Sequence, residues 1–349
     1  MVLVLAACTV RADGVIADKV RTGKVRADSI SENPDGSGGL FEPGQDRAIL
    51  AAMDHLYRME YAAADSALAG LPHGPARDYF RGLVEMNRFG DLGDTSALSR
   101  ARSLWENLDR AHADPHVGFA RAAHYPLYRG LSVLQLSYVA GIYGSSVRSA
   151  QLGRKAAGLL RPHIQNAEAE AALALYEYYK ASLLKGVAWM PFVDADKAEP
   201  LRRLEAAVPR SRYLGEILQT SLLWLYYDAG RYRDGLARIE AFLARYPENR
   251  PYRQIRADFL YRQGALDSAR AIHESLLREY RDLAAECPYP TCLPLGYLAS
   301  VGNLAKIHAT LNQTELLGKH LEIWRSYGPE EILKWMPASL KREVSALRK

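Results

Sequence analysis

Two consecutive 34-residue stretches decide the fold of this chain: EILQTSLLWLYYDAGRYRDGLARIEAFLARYPEN at 216–249 and RPYRQIRADFLYRQGALDSARAIHESLLREYRDL at 250–283. Apolar residues recur at helical spacing on both sides of a central glycine in each stretch, which predicts two amphipathic helices joined by a turn. The positions that match between the stretches are Gly230 with Gly264, Tyr227 with Tyr261, Gly235 with Ala269, Phe242 with Leu276, Leu243 with Leu277, and Tyr246 with Tyr280.

A unit of two amphipathic helices cannot bury its apolar faces alone, so it has to stack on similar neighbours. Small residues such as Gly235 and Ala269 are needed where two helices cross, because larger side chains would push the helix axes apart. We therefore predict an all-α chain whose neighbouring hairpins share their cores end to end. The expected outline is a curved rod with a long concave surface.

The 34-residue period, the turn Gly230-Arg231-Tyr232 and the small residues at the crossings resemble the tetratricopeptide repeat (TPR) family. The resemblance implies a right-handed α-solenoid in which the first helix of each hairpin lines the concave face. Towards the amino terminus the resemblance weakens, and 45–166 also suits a related helical-hairpin array. The prediction is about seven TPR-like hairpins and a C-terminal capping helix over 45–349, with the clearest repeats at 216–249, 250–283 and 298–331.

The amino terminus reads MVLVLAAC, and Leu5-Ala6-Ala7-Cys8 resembles the lipobox of bacterial lipoproteins, which implies acylation of Cys8. Seven residues precede this cysteine and none is basic, whereas a secretory signal has a positive segment and about 7–15 apolar residues. We interpret 1–8 as a truncated signal, with a late start assignment or a chance match as alternatives. The following segment, 9–44, is rich in Gly, Asp, Ser, Arg and Pro and is predicted to be a flexible tether.

The lipobox places the protein in the bacterial cell envelope, facing the periplasm and anchored by lipid, with the outer membrane as the expected site and the cytoplasm as the alternative. No apolar run reaches the roughly 18 residues that a transmembrane helix needs. The net charge of +5, from 45 basic and 40 acidic residues, comes without dense basic runs, so we expect no nucleic-acid partner.

Two cysteines remain, Cys287 and Cys292, separated by four residues of which two are prolines. In an oxidising compartment this pair could form a short structural disulfide. Reduced thiols and a metal site are the alternatives. The segment that carries the pair interrupts the helical period and is expected to be an inserted loop, as is the apolar stretch 186–193.

Sequence motifs for catalysis are missing. The chain has neither a glycine-rich loop with a lysine nor a His-Glu-x-x-His sequence. The nearest cluster, His112 and His116, is interrupted by Pro115, which disfavours a shared helical face. His273 and His308 fall at inward helical positions and are predicted to be satisfied core histidines. We therefore expect no enzyme activity, no cofactor and no resident metal.

The concave face of the clearest repeats combines aromatic residues with charges of both signs, a composition that suits a bound peptide or helix. The predicted function is a non-enzymatic scaffold or adaptor that holds a partner protein. The alternative is a glycan- or small-ligand-binding lipoprotein of a transport system, in which Trp224, Tyr227 and Tyr261 would stack on sugar rings. The predicted groove residues are Thr220, Trp224, Tyr227, Asp228, Gln254, Asp258, Tyr261, Arg262 and Lys306.

Overall fold

The computed structural model describes residues 41–111, 124–184, 196–286, 295–326 and 338–347, and the regular structure in these ranges is helical, with no β-strand. The all-α prediction is confirmed. The helices are α1 Pro43–Tyr57, α2 Tyr61–Ala69, α3 Pro75–Leu92, α4 Thr95–Arg110, α5 Tyr125–Ile142, α6 Ser146–Leu160, α7 Ala167–Leu184, α8 Ala198–Ala207, α9 Gly215–Asp228, α10 Tyr232–Arg245, α11 Arg250–Arg262, α12 Leu266–Glu286, α13 Leu295–Thr310, α14 Thr314–Ser326 and α15 Ala338–Ala346.

Helices that follow one another along the chain also pack on one another. α1 packs on α2, α3 on α4, and so on to α13 on α14, while the second helix of each pair also contacts the first helix of the next. The last helix, α15, packs on α13. Short connections between amphipathic helices favour this arrangement, since each apolar face is buried by the nearest available neighbour.

The same turn ends the first helix of five pairs. In each turn one residue is left-handed: Met59, Gly144, Gly230, Gly264 or Asn312, with Gly230 at a φ of 70° and Gly264 at 80°. Its amide donates to the carbonyl three residues earlier, and the next amide donates to the carbonyl five residues earlier. This is the Schellman motif, which satisfies carbonyls left open at a helix end. Glycine recurs every 34 residues here because it adopts this conformation without steric cost.

Close helix crossings account for the other feature that the two strongest stretches share. A β-carbon at Gly235 would lie 2.0 Å from the ring of Phe259, so α10 and α11 approach at a point that admits no side chain. The equivalent residue Ala269 is fully buried. The prediction of small residues at the helix crossings is confirmed for this pair of positions.

Buried apolar residues form two clusters, one that extends from Ile49 in α1 to Phe259 in α11 and one that joins α12 to α15. In the second cluster Leu340 and Val344 of α15 pack beside Trp324. A helix at the carboxyl end, where the sequence predicts one, is thus present and buries one face. Of the tether predicted over 9–44, residues 9–40 lie outside the described residues, and Phe41, whose ring lies 6.0 Å from that of Tyr128, packs against the folded body.

The expected curved rod is wrong, because the first helices fold back onto much later ones. Arg212 donates two hydrogen bonds to Asp46 of α1 at 2.8 and 2.6 Å, and Arg250 contacts Asp91 of α3 at 2.9 and 2.5 Å. α3 also contacts α13. We call this contact the closing junction; it consists of Asp46, Asp54, Tyr57, Met59, Tyr61 and Asp91 on one side and Arg212, Tyr213, Tyr246, Asn249 and Arg250 on the other.

Several sequence predictions fall outside the described residues: the lipobox at Cys8, the Cys287 and Cys292 pair, the insertion 186–193, and His112 with His116. Among the described helices none is long and apolar enough to cross a membrane.

Candidate binding site

The predicted groove residues lie on three neighbouring helices that each begin a pair. Thr220, Trp224, Tyr227 and Asp228 lie on α9; Gln254, Asp258, Tyr261 and Arg262 lie on α11; Lys306 lies on α13. The groove residues were predicted to be exposed, and Thr220 departs furthest from this prediction, since it is only 3% exposed. Its hydroxyl oxygen lies within hydrogen-bond distance of the Tyr252 hydroxyl, at 3.1 Å, and of the Glu216 carbonyl oxygen, at 3.2 Å. It therefore joins α9 to α11 and does not face a partner.

An aromatic cluster, which we call the aromatic wall, joins α9, α10 and α11 at the predicted groove. The ring of Tyr227 meets Trp224, Tyr232 and Phe259 edge-on, with centroids 5.5, 5.7 and 5.4 Å away. Edge-to-face contacts of this kind fix ring orientation and add to the energy of burial. The Trp224 indole Nε1 is buried and has no hydrogen-bond acceptor among the described residues. Both Tyr227 and Trp224 are part of the packing between repeats as well as of the groove.

Arg262 lies at the open edge of this wall. Its Nε donates to the Tyr227 hydroxyl at 2.6 Å, and its guanidinium carbon lies 5.1 Å from the centre of the Tyr227 ring. Burial raises the pKa of the Tyr227 phenol, so it stays neutral and can accept this bond. Arg262 is exposed and forms no ion pair with a carboxylate in the part of the chain that the structure describes. The contacts with Tyr227 therefore fix the orientation of the guanidinium and use only the Nε of its five N–H donors.

Asp258 lies on α11, one turn before Arg262, and its side chain is 17% exposed. Its Oδ1 accepts a hydrogen bond from the Asn303 amide at 3.1 Å. Burial raises its pKa to about 7, and Glu343 adds to the increase, while Lys306 and Arg262 oppose it. A buried carboxylate with one neutral hydrogen-bond partner is poorly compensated for its lost hydration. Asp258 therefore changes charge close to neutral pH.

His273 of α12 completes this interior. Its Nε2 lies 3.9 Å from Asp258 Oδ1, too far for a hydrogen bond, and neither ring nitrogen has a partner among the described residues. Burial and the nearby charge of Lys306 lower the His273 pKa to about 3, so the ring is neutral. The predicted core position is confirmed for both histidines, since His273 is 0% and His308 1% exposed. The predicted hydrogen-bond partner is found for His308, whose Nδ1 is 2.7 Å from the Gln313 side-chain oxygen.

Lys306 connects the groove to the last helix. Its Nζ lies 2.5 Å from Glu343 Oε2 on α15 and 4.9 Å from the centre of the Tyr261 ring. Because the Lys306 side chain is mostly buried, the ion pair fixes α15 against α13. The charge of Lys306 is thus already balanced within the chain, unlike that of Arg262.

Asp228 belongs to a different neighbourhood. Its carboxylate accepts from the Tyr178 hydroxyl at 2.6 Å and from Lys197 Nζ at 2.7 Å. These contacts join α9 to α7 and to the start of α8. The structure therefore groups Trp224, Tyr227, Asp258, Tyr261, Arg262 and Lys306 around α11, while Gln254 lies one turn before Asp258 on the same helix.

The sequence did not point to His273, Asn303, Glu343, Tyr178 or Lys197 as members of these networks. Asn303 could have been found, because it lies three residues before Lys306 and so shares its face of α13. Glu343 could not have been found, since nothing in the sequence of α15 specifies which earlier helix Glu343 contacts.

Asp258 has a pKa that would suit a general base, but shifts of this kind also arise in structural networks. No group of three or more potential metal ligands occurs among the described residues. No protein-family model matches the chain, and no curated protein is significantly similar to it.

Proposed function

We propose that this protein is a non-enzymatic scaffold that holds a segment of a partner protein in the groove formed by α9, α11 and α13. The scaffold is proposed to be a right-handed solenoid of seven TPR-like hairpins with α15 as its cap. Support for this architecture comes from the sequential packing of the helices and from the Schellman turn that recurs in five pairs. The closing junction then makes the solenoid one compact turn.

The proposal rests on the exposure and the contacts of Arg262. It is exposed, it is held by Tyr227, and it has no carboxylate partner among the described residues. An arginine that is already oriented loses little conformational entropy when it binds, and aromatic neighbours exclude water from the contact. We infer that an acidic side chain of the partner pairs with Arg262 while apolar parts of the same segment lie on Tyr261 and Trp224.

The alternative of a glycan ligand has less support. Stacking on a sugar needs a free aromatic face, but Tyr227 is surrounded by Trp224, Tyr232 and Phe259 and is covered on one side by Arg262. Tyr261 is also approached by Lys306 at 4.9 Å. The groove offers charge and aromatic edges, which suit a peptide.

We further propose that the protein acts in the bacterial envelope, anchored by lipid on Cys8 and facing the periplasm. The lipobox-like sequence before the folded body supports this location. A scaffold on such an anchor would hold its partner close to the membrane surface.

Photocrosslinking in the native cell tests the proposal. A benzophenone amino acid is placed at Gln254 or Tyr261 in the groove, and as a matched control at Ala237, which is exposed on α10, the second helix of the fifth pair. We expect the two groove positions to crosslink one common protein and Ala237 to give none. Arg262→Glu should abolish the crosslink from Gln254 without loss of the folded protein.

Crosslinking from Ala237 that equals crosslinking from the groove, or a crosslink unaffected by Arg262→Glu, would contradict the proposal. A saturable stabilisation by oligosaccharides, with no protein crosslinked, would favour the glycan alternative.

A further inference from the structure

The positive charge of this protein is concentrated in one segment. Residues 115–167 contain six basic residues and no acidic residue, whereas the remainder of the chain has 39 basic and 40 acidic residues. The segment includes α5 and α6, and α6 is the more exposed of the two helices. The net charge of the whole protein therefore comes from this segment, and four of its six basic residues, Arg129, Arg148, Arg154 and Lys155, lie in α5 and α6.

The basic residues of this segment divide into paired and unpaired groups. Arg129 and Lys155 both contact Asp109 of α4, at 3.1 and 2.6 Å. Arg148, Arg154 and Arg161 are exposed and form no ion pair with any carboxylate that the structure describes. Residues seven apart lie nearly on one line along a helix, so Arg154 of α6 and Arg161, which follows the last residue of α6 in helical conformation, lie on one stripe. Arg148, six residues before Arg154, is also exposed but lies about 120° around the helix from this stripe.

Exposed apolar side chains occur in the same place. Among the described residues only four large hydrophobic side chains are well exposed, and three of them belong to this pair: Val147 at 71%, Tyr143 at 50% and Ile164 at 43%. Val147 lies seven residues before Arg154, on the same stripe, and Ile164 follows three residues after Arg161. Gly158, between Arg154 and Arg161, has no atom near its missing side chain, so the surface there is open.

We propose that the exposed face of α6 is a docking surface for an anionic phospholipid bilayer. Guanidinium groups at the headgroup level are attracted to anionic lipids, and small apolar and aromatic side chains between them enter the interface. A nucleic acid would explain the arginines but not the exposed valine and isoleucine.

Vesicle co-sedimentation of the full-length chain tests this surface. All proteins carry Cys8→Ser, so that acylation cannot contribute. Vesicles of phosphatidylcholine alone are compared with vesicles that contain about 30 mol% phosphatidylglycerol. We expect binding to the anionic vesicles only, and weaker binding as salt screens the charges.

The triple variant Arg148→Gln, Arg154→Gln, Arg161→Gln should partition about 100-fold more weakly into anionic vesicles. The matched control removes three exposed arginines elsewhere, Arg233→Gln, Arg278→Gln and Arg325→Gln, and should bind like the parent chain. Val147→Ser with Ile164→Ser should also weaken vesicle binding, but not binding to a soluble polyanion such as polyglutamate.

Three results would overturn the proposal. One is equal binding to neutral and anionic vesicles. Another is an equal loss in the triple variant and its matched control. The third is binding to polyglutamate or duplex DNA without binding to vesicles, which would identify the partner as an acidic macromolecule.

Discussion

The regular repeats of 216–286 and the closing junction are held together by different kinds of contact. In the repeats, small residues and apolar side chains pack between neighbours: Gly235 against Phe259, with Phe242 and Leu276 buried. In the junction, carboxylates of the first helices meet arginines and tyrosines far later in the chain, as Asp91 meets Arg250 across 159 positions.

The two kinds of contact determine different aspects of the fold. Periodic apolar packing stacks one unit on the next but does not decide where the stack ends or whether it closes. Buried ion pairs with well-defined hydrogen-bond geometry are poor sources of stability and good sources of specificity in some systems. We infer that the polar junction selects the closed arrangement over an open one. The predictions below test this contrast, beginning with the largest effect.

Asp91→Ala should cost about 3–5 kcal/mol of the free energy of unfolding, because it leaves Arg250 buried without its partner. The Asp91 side chain is fully buried and also accepts from the Tyr61 hydroxyl at 2.9 Å. Urea unfolding at pH 7 measures the loss.

Two controls accompany this variant. Asp91→Leu combined with Arg250→Met removes both charges and should recover most of the lost stability. Asp234→Ala breaks an exposed pair with Arg231 and should change the free energy by less than about 1 kcal/mol. Equal losses in Asp91→Ala and Asp234→Ala would refute a special role for the junction.

Asp258→Asn should raise the free energy of unfolding, whereas Asp91→Ala lowers it. Asp258 is a buried carboxylate of the repeats and forms no ion pair across the closing junction. The folded pKa of about 7 lies above the unfolded value of 3.8, so the folded state binds the extra proton. The extra proton on Asp258 therefore stabilises the folded state fully below about pH 4, and this stabilisation is lost as the pH rises through about 7.

At pH 8 the Asp258→Asn variant should be more stable than the parent by about 2–4 kcal/mol, since the cost of the buried charge is gone. Unfolding free energies from pH 4 to 8 should decline for the parent and be flatter for the variant. A parallel decline in both proteins would contradict the raised pKa.

Gly235→Ala should cost about 1–3 kcal/mol, because the added carbon would lie 2.0 Å from the Phe259 ring. Gly158→Ala in α6 is the matched control, since nothing lies within 4 Å of its added carbon. That control should stabilise the helix by about 0.5–1 kcal/mol. Thermal unfolding compares the two, and a loss in both would show that the helix crossing is not the cause.

Acid should weaken the junction by a smaller amount. Hydrogen bonds from Arg212 and Tyr213 lower the pKa of Asp46 to about 2, below the unfolded value of 3.8. The contribution of Asp46 is therefore present above about pH 4 and is lost between about pH 4 and 2. Because the Arg212 side chain is half exposed, we expect about 1 kcal/mol. Asp46→Asn should remove this part of the acid dependence in unfolding curves.

The sequence predicted the repeats well because their determinants are local. The left-handed turns at Gly230 and Gly264 and the crossing at Gly235 follow from residue type and spacing alone, and the helix pairs lie close to the predicted windows. In the groove, the placement of Tyr227, Asp258 and Arg262 on neighbouring helices also followed from the period.

The junction and the interior of the groove could not be predicted, since no periodic signal reports them. Asp46 and Arg212 are separated by 166 positions and carry no pattern that joins them. Thr220 was expected at the surface but is buried, because the period alone does not tell how closely α9 and α11 approach.

The most direct test of the closed arrangement is the distance between nitroxide labels at Arg58 of the first pair and Arg245 of the fifth. Both guanidinium groups lie near the ring of Tyr246, at 5.8 and 5.1 Å from its centre. Double electron–electron resonance on the labelled full-length chain should give a single short distance. A distance of about 40 Å, which about four successive layers at roughly 8–10 Å spacing would produce in an open stack, would contradict the account.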